Sequence, residues 1–247
     1  MKPHKPDYLF LSLAAIIILF GLLMLSSAST VTSLKDKGDS YYYLKHQFLN
    51  GLLPGILFFF VFLNINYQKL RFWAPYFFIF SLGLLVLVFV PGLEIANSSA
   101  KSWINLRFFS FQPAEIAKLA YIIYLACWLE KRSLEEIKDF SLSFLPFVAI
   151  LALICSLVIL QPDIGTMSVI ALTAIVIYFV AGARFSHLFA LGILAVGSLA
   201  VLIKIAPYRL ERLTTFLNPE LDPRGIGYHI NQALLAIGSG GFWGRGF

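Results

Sequence analysis

Seven stretches of this chain are apolar over roughly the 20 residues that a helix needs to cross the hydrocarbon core of a bilayer. They run over 8–28, 44–63, 72–90, 112–129, 142–160, 164–182 and 187–206. No other feature constrains the fold as strongly. Backbone groups in lipid must be paired within the spanning element, and none of these runs shows the apolar/polar alternation of a barrel strand. The expected class is therefore all-α: a polytopic transmembrane helix bundle of seven spans over 1–206, followed by a more polar segment over 207–247. Composition agrees, because 59% of residues are hydrophobic and only 13% charged, against about 25% charged in a soluble domain.

The formal charge of +6 raises nucleic acid as a partner, but Lys and Arg lie between apolar runs and form no basic face or stripe. No nucleic-acid role is expected. Cys127 and Cys155 sit singly inside apolar runs, and His4, His46, His187 and His229 have no ligand spacing, so neither a thiolate nor a histidine metal site is expected. Lys2 and Lys5 ahead of the apolar run 8–25, with Ser26–Ser29 after it, imitate a signal peptide. That run exceeds the ~7–15 residues of a signal core, and further spans follow, which favours an uncleaved first span.

Charge sets the expected orientation. With the N-terminus inside, the inner segments carry eight basic residues (Lys2, Lys5, Lys69, Arg71, Lys131, Arg132, Lys138, Arg184) and the short outer loops four (Lys35, Lys37, Lys101, Arg107). This positive-inside bias predicts a cytoplasmic N-terminus, with 29–42, 91–111 and 207–247 on the outer face. Pro54, flanked by Gly51 and Gly55, should kink or loosen the second span, because it removes a backbone donor.

Three polar stretches interrupt this pattern. The first, Trp103 to Lys118, runs from an outer loop into the fourth span, with Pro113 suited to a helix start. Glu115 and Lys118 lie three apart on one helical face. Two readings stay open: a pair that neutralises itself and steadies the helix, or a substrate path where Lys118 meets a pyrophosphate or tunes a carboxylate. The second stretch, Gln161-Pro-Asp-Ile-Gly-Thr166, is a hinge whose Asp163 either caps the next helix or orients a polar headgroup. In the third, Arg209 and Arg212 share a helical face suited to phosphate oxygens or to snorkelling toward headgroups. Further on, Ile226, Ile230, Leu234 and Ile237 form one stripe, the pattern of a helix lying at the membrane interface. The glycines from Gly238 to Gly246 read plainly as a mobile turn.

Taken in order, these stretches resemble the SEDS family (shape, elongation, division and sporulation), whose members FtsW and RodA are integral-membrane peptidoglycan glycosyltransferases. The resemblance rests on three runs. They are Trp103-Ile104 with Phe111-Gln-Pro-Ala-Glu-Ile-Ala-Lys118, the hinge Gln161 to Thr166, and Tyr208-Arg209, Arg212, Phe216-Leu-Asn-Pro219, Asp222-Pro223, Gly227-Tyr228, Gln232 and Ala236-Ile-Gly-Ser-Gly-Gly241. It covers essentially the whole chain. Tyr208-Arg209 with Arg212 and Phe216 is closer to the FtsW branch than to RodA.

The resemblance implies polymerisation of lipid II, the undecaprenyl-pyrophosphate-linked disaccharide-peptide, in the bacterial cytoplasmic (inner) membrane during division or elongation. It matches Glu115 and Lys118 to a pair facing a central cavity, and Arg209, Arg212 and Gln232 to polar positions of a large outer loop. It also implies about ten spans of roughly 20 residues each, seven of them here, and a catalytic Asp beyond Phe247, so that no residue of 1–247 is expected to be catalytic and this segment alone is expected to be inactive. The implied partners are a class B penicillin-binding protein transpeptidase and membrane proteins of the divisome or elongasome. No cofactor is evident, and a divalent cation on the pyrophosphate is compatible with the chemistry. Two rival functions are a flippase or transporter of lipid-linked precursors and a non-catalytic scaffold for a transpeptidase.

Overall fold

The structure is a computed structural model that describes residues 6–91, 102–105, 110–206, 208–219, 225, 227–241 and 244. It divides into two compact units, Met1–Asn66 and Tyr67–Gly246.

In the first unit, α1 (Tyr8–Lys37) starts where the Asp7 carboxylate accepts the Phe10 N–H at 3.0 Å. It stops at Gly38, whose left-handed backbone (φ 72°) is open to glycine and lets its N–H reach the Leu34 carbonyl at 2.9 Å. Lys35 and Lys37 in the last turn suit the negative end of the helix dipole. In the turn that follows, Lys45 Nζ donates to Asp39 at 2.7 Å, and this bond holds the Asp39 carboxyl below its ordinary range. The chain returns through α2 (Tyr42–Gln47), a π-helical turn (Phe48–Leu52) and α3 (Leu53–Leu63).

That π-turn answers to Pro54. A proline ring inside a helix crowds the carbonyl four residues back and offers it no N–H. Widening the turn just before it removes the conflict, and the Leu53 N–H bonds five residues back to Phe48 instead of four. The second unit repeats the device: a π-turn at Phe140–Phe144, where the Leu145 N–H reaches Phe140, lies directly ahead of Pro146.

The second unit contains α4 (Tyr67–Leu87), α5 (Pro113–Glu130), the short α6 (Leu134–Ile137), the π-turn continued by α7 (Leu145–Ile159), α8 (Ile164–Val180) and α9 (Phe185–Ile205). After these come α10 (Tyr208–Leu217) and α11 (Tyr228–Gly240). Its only described extended structure is a two-residue antiparallel pairing, β1 (Ile104–Asn105) with β2 (Ser110–Phe111), immediately before α5. The all-α expectation holds.

The core follows helical spacing. Ala114, Ala117, Ala120, Tyr121, Leu125 and Leu129 bury one stripe of α5. Small residues there, with Ala74 and Ser81 buried on α4, let the α4 and α5 backbones approach closely, as small residues do in membrane bundles. Phe147, Leu151, Ile154 and Val158 of α7 and Ile170, Ala174 and Tyr178 of α8 complete the cluster. Large apolar side chains elsewhere face outward, Val180 and Phe185 at 78% exposure. Such surface is stable only when lipid or more protein covers it.

All seven expected segments are helical. Among the described residues, five helices are long and apolar enough to cross a membrane: Tyr8–Lys37, Tyr42–Leu63, Gln68–Leu87, Phe140–Ile159 and Phe185–Ile205. The other two fall short for identifiable reasons. Helix α8 has 17 residues, and the 18 residues of α5 include Glu115, Lys118 and Glu130.

Candidate functional site

Four helix ends meet at one end of the second unit, here called the head: the C-termini of α4 and α7 and the N-termini of α5 and α8. The hinge between α7 and α8 stitches them together. Gln161 is fully buried, and its Nε2 donates to the Leu85 carbonyl at 3.1 Å. Leu85 lies in the last turn of α4, where the next helical bond is diverted because Phe89 N–H bonds Val86. Gln161 therefore satisfies a helix-end carbonyl from 76 residues away in sequence. Its Oε1 has no partner among the described residues.

Asp163 caps α8. One carboxylate oxygen accepts the Thr166 N–H at 3.0 Å and the other accepts the Thr166 hydroxyl at 2.7 Å. The second oxygen also accepts from Gln112 Nε2 at 2.6 Å. Gln112 is itself the N-cap residue of α5, with extended backbone (φ −100°, ψ 111°) and no side-chain bond to its own helix. The two helix starts are thus joined cap to cap.

One turn into α5, Lys118 Nζ donates to both oxygens of Glu115, at 2.8 and 2.9 Å. Glu115 is about half exposed (55%) and Lys118 mostly covered (26%). On a helix surface such a pair contributes only about 0.2–0.5 kcal/mol, so it is a weak stabiliser, and its ammonium is met by both carboxylate oxygens.

The structure brings Gln112, Asp163, Glu115 and Lys118 to the head. It places Arg209 and Arg212 on α10, and their side chains lie outside the described part. Gln232 is exposed on α11, and among the described residues no hydrogen bond or ion pair links it to Glu115, Lys118 or Asp163. Helix α11 is tied down by Asn231, whose Nδ2 donates to the Pro219 carbonyl at 2.9 Å. Of its expected stripe, Leu234 and Ile237 are exposed, and Ile226 lies outside the described residues. Glu211 is exposed on α10, while Glu220 and Asp222 are not among the described residues. Among the described residues no three His, Cys, Asp or Glu side chains group in a way that could hold a metal ion.

Sequence reasoning gave no role to Gln112 or Gln161. A signal was present: each directly precedes a proline, which biases its backbone toward an extended conformation and frees the side chain to serve a neighbouring element. The opposite end of the unit is bound differently. The buried Tyr178 hydroxyl bonds the Ile137 carbonyl (3.2 Å) and shares a hydrogen bond with His187 Nδ1 (3.0 Å), while Arg71 pairs with Glu130 at 3.1 Å.

Comparison with known proteins gives a consistent set of likenesses. The family model FtsW/RodA/SpoVE, described as "cell cycle protein", matches residues 7–247. Stage V sporulation protein E of Bacillus subtilis is 37% identical over 245 residues, covering 99% of this chain and 66% of that protein. A probable peptidoglycan glycosyltransferase FtsW of Geobacter sp. is 37% identical over 240 residues, 97% of this chain and 65% of that protein. This chain thus spans just under two thirds of the length of these relatives. Among solved structures, a chain from a peptidoglycan synthase complex that coordinates polymerization and crosslinking matches with a TM-score of 0.66 and 32% identity, over 90% of this chain and 66% of that one. The rod shape determining protein RodA of Thermus thermophilus matches with a TM-score of 0.52 and 31% identity, over 71% of this chain and 58% of that one.

Proposed function

Since the chain belongs to the FtsW/RodA/SpoVE family of cell cycle proteins, a multi-pass membrane family, we propose that the complete protein is a peptidoglycan glycosyltransferase that polymerises an undecaprenyl-pyrophosphate-linked disaccharide-peptide. The observation that carries this reading is the Glu115–Lys118 pair at the head of α5, in a chain whose relatives include proteins named for that activity. The eight-to-four bias of basic residues supports a head on the outer face of the bacterial cytoplasmic membrane, where a polymer destined for the wall must form. An impermeant thiol reagent should then label a cysteine at position 36 in intact cells, and labelling only after permeabilisation would reverse the orientation.

In the reaction, the acceptor sugar hydroxyl attacks the anomeric carbon of the donor. The new glycosidic C–O bond forms as the bond to the pyrophosphate oxygen breaks, and a carboxylate takes the hydroxyl proton. We assign that base to none of the 247 residues. Lys118 supplies positive charge where negative charge grows on the departing pyrophosphate. Arg209 and Arg212 on α10 are proposed as further phosphate contacts, with Gln232 on α11 as a polar contact to the sugar or peptide. Asp163 serves the substrate through the helix ends it holds. A class B penicillin-binding protein transpeptidase is the proposed partner, because the new strands require crosslinking.

Photocrosslinking tests the placement of substrate. A photoreactive residue at Leu119, next to Lys118 and 48% exposed, should form an adduct with the lipid-linked disaccharide. Excess undecaprenyl pyrophosphate should compete and undecaprenol should not. Equal adduct from Val180, on the far end of α8, or competition by the plain alcohol would mean general lipid contact and would remove the head as the substrate site.

A further inference from the structure

We propose that Gln112 is a positioning residue, clasped by Asp163 so that the first turn of α5, and with it the Glu115–Lys118 pair, is fixed against the start of α8. The inference deepens the glycosyltransferase reading and rests on it. Its ground is a local sacrifice. The N-cap position usually carries Ser, Thr, Asp or Asn, whose short side chain satisfies a free amide of its own helix. Gln112 does not do this. Its amide is spent on the carboxylate that caps the neighbouring helix, across 51 residues of sequence and at 2.6 Å.

Register makes the clasp relevant to chemistry. Gln112, Glu115 and Lys118 follow one another at intervals of three, so they share one edge of α5. The stripe of α5 that packs into the bundle is a different one, Ala114, Ala117 and Tyr121. The apolar contacts of that buried stripe have no preferred direction, whereas a charge-assisted hydrogen bond has a fixed length and direction. The clasp thus adds a directional contact on the edge of α5 that carries Glu115 and Lys118. Gln161 holds the same hinge from the other side through the Leu85 carbonyl, so Asp163 is anchored when it receives Gln112.

Three variants of the complete protein test this. Gln112→Leu removes the donor, and Gln112→Glu sets two carboxylates against each other. Gln112→Glu combined with Asp163→Asn rebuilds the clasp with its polarity reversed. In that pair the asparagine oxygen still caps Thr166 N–H, and its Nδ2 donates to the new carboxylate. Either single change at Gln112 should lower kcat for strand synthesis about tenfold or more with little change in KM, as small misplacement of a reacting group does. The double variant should recover to within about threefold of wild type, a recovery that the deletion of one hydrogen bond for stability alone does not predict.

Wild-type kcat in Gln112→Leu, or a double variant no better than Gln112→Glu, overturns the clasp and leaves the glycosyltransferase reading standing. Wild-type protein that makes no strands overturns that reading instead. The clasp is then decided by amide hydrogen exchange over 114–118, which must quicken in both single variants and slow again in the double, and unchanged exchange overturns it.

Discussion

Replacing Lys118 by methionine in the complete protein should abolish measurable strand synthesis, a fall of about 100- to 1,000-fold, as when a single stabilising group is removed from a transition state. The protein itself should insert and accumulate normally. Methionine keeps the apolar stem of Lys118, whose side chain is mostly buried, and the ion pair it removes is worth only a few tenths of a kcal/mol. Quantifying both membrane-inserted protein and glycan product separates the two readings of the pair. Loss of protein with normal activity per surviving molecule would make Glu115–Lys118 a structural pair and would leave the head without its pyrophosphate contact.

The opposite outcome is expected at Tyr178. Its ring is fully buried and stacks on Phe147 at 4.3 Å between centroids, and its hydroxyl ties α8 to the Ile137 carbonyl and to His187. Tyr178→Ala should cost about 3–5 kcal/mol, the range for large aromatic truncations in a packed core. Tyr178→Phe keeps the ring and loses only hydrogen bonds, which should cost about 0.5–1.5 kcal/mol each. Thermal unfolding in detergent measures both. Activity per folded molecule should stay near wild type in Tyr178→Phe, because the residue lies at the end of the unit away from Glu115 and Lys118. A Tyr178→Phe protein that is stable yet inactive would contradict this division of labour.

The helices were legible in the sequence because membrane spans announce themselves by length and apolarity. Every expected segment is helical, and the two that fall short of a strict span do so by one short length and three charged residues. Pro54 was legible as a disturbance, but its form, a π-turn rather than a bend, depends on how the preceding carbonyls find partners. Asp163 was readable as a cap because capping is local. The bonds from Gln112 to Asp163 and from Gln161 to Leu85 were not readable, since they join residues 51 and 76 positions apart and no periodicity encodes them.

The Glu115–Lys118 pair stands between these cases. Spacing of three predicts that the two side chains meet, and they do, with both carboxylate oxygens bonded. What the pair is for does not follow from spacing. Charged residues among apolar ones cost a helix membrane affinity, and the proposed pyrophosphate contact at Lys118 would offset part of that cost.

Strand formation by the complete protein, purified and reconstituted into vesicles with the lipid-linked disaccharide-peptide, tests the central claim most directly. Lipid-linked glycan resolved on a gel reports polymerisation, while accessibility of the precursor to an external modifying enzyme reports its transfer across the bilayer. The glycosyltransferase reading predicts a ladder of glycan strands in wild type that disappears in Lys118→Met. Transfer of precursor across the bilayer with no strands, lost in the same variant, would contradict it and make the protein a carrier of the lipid-linked unit.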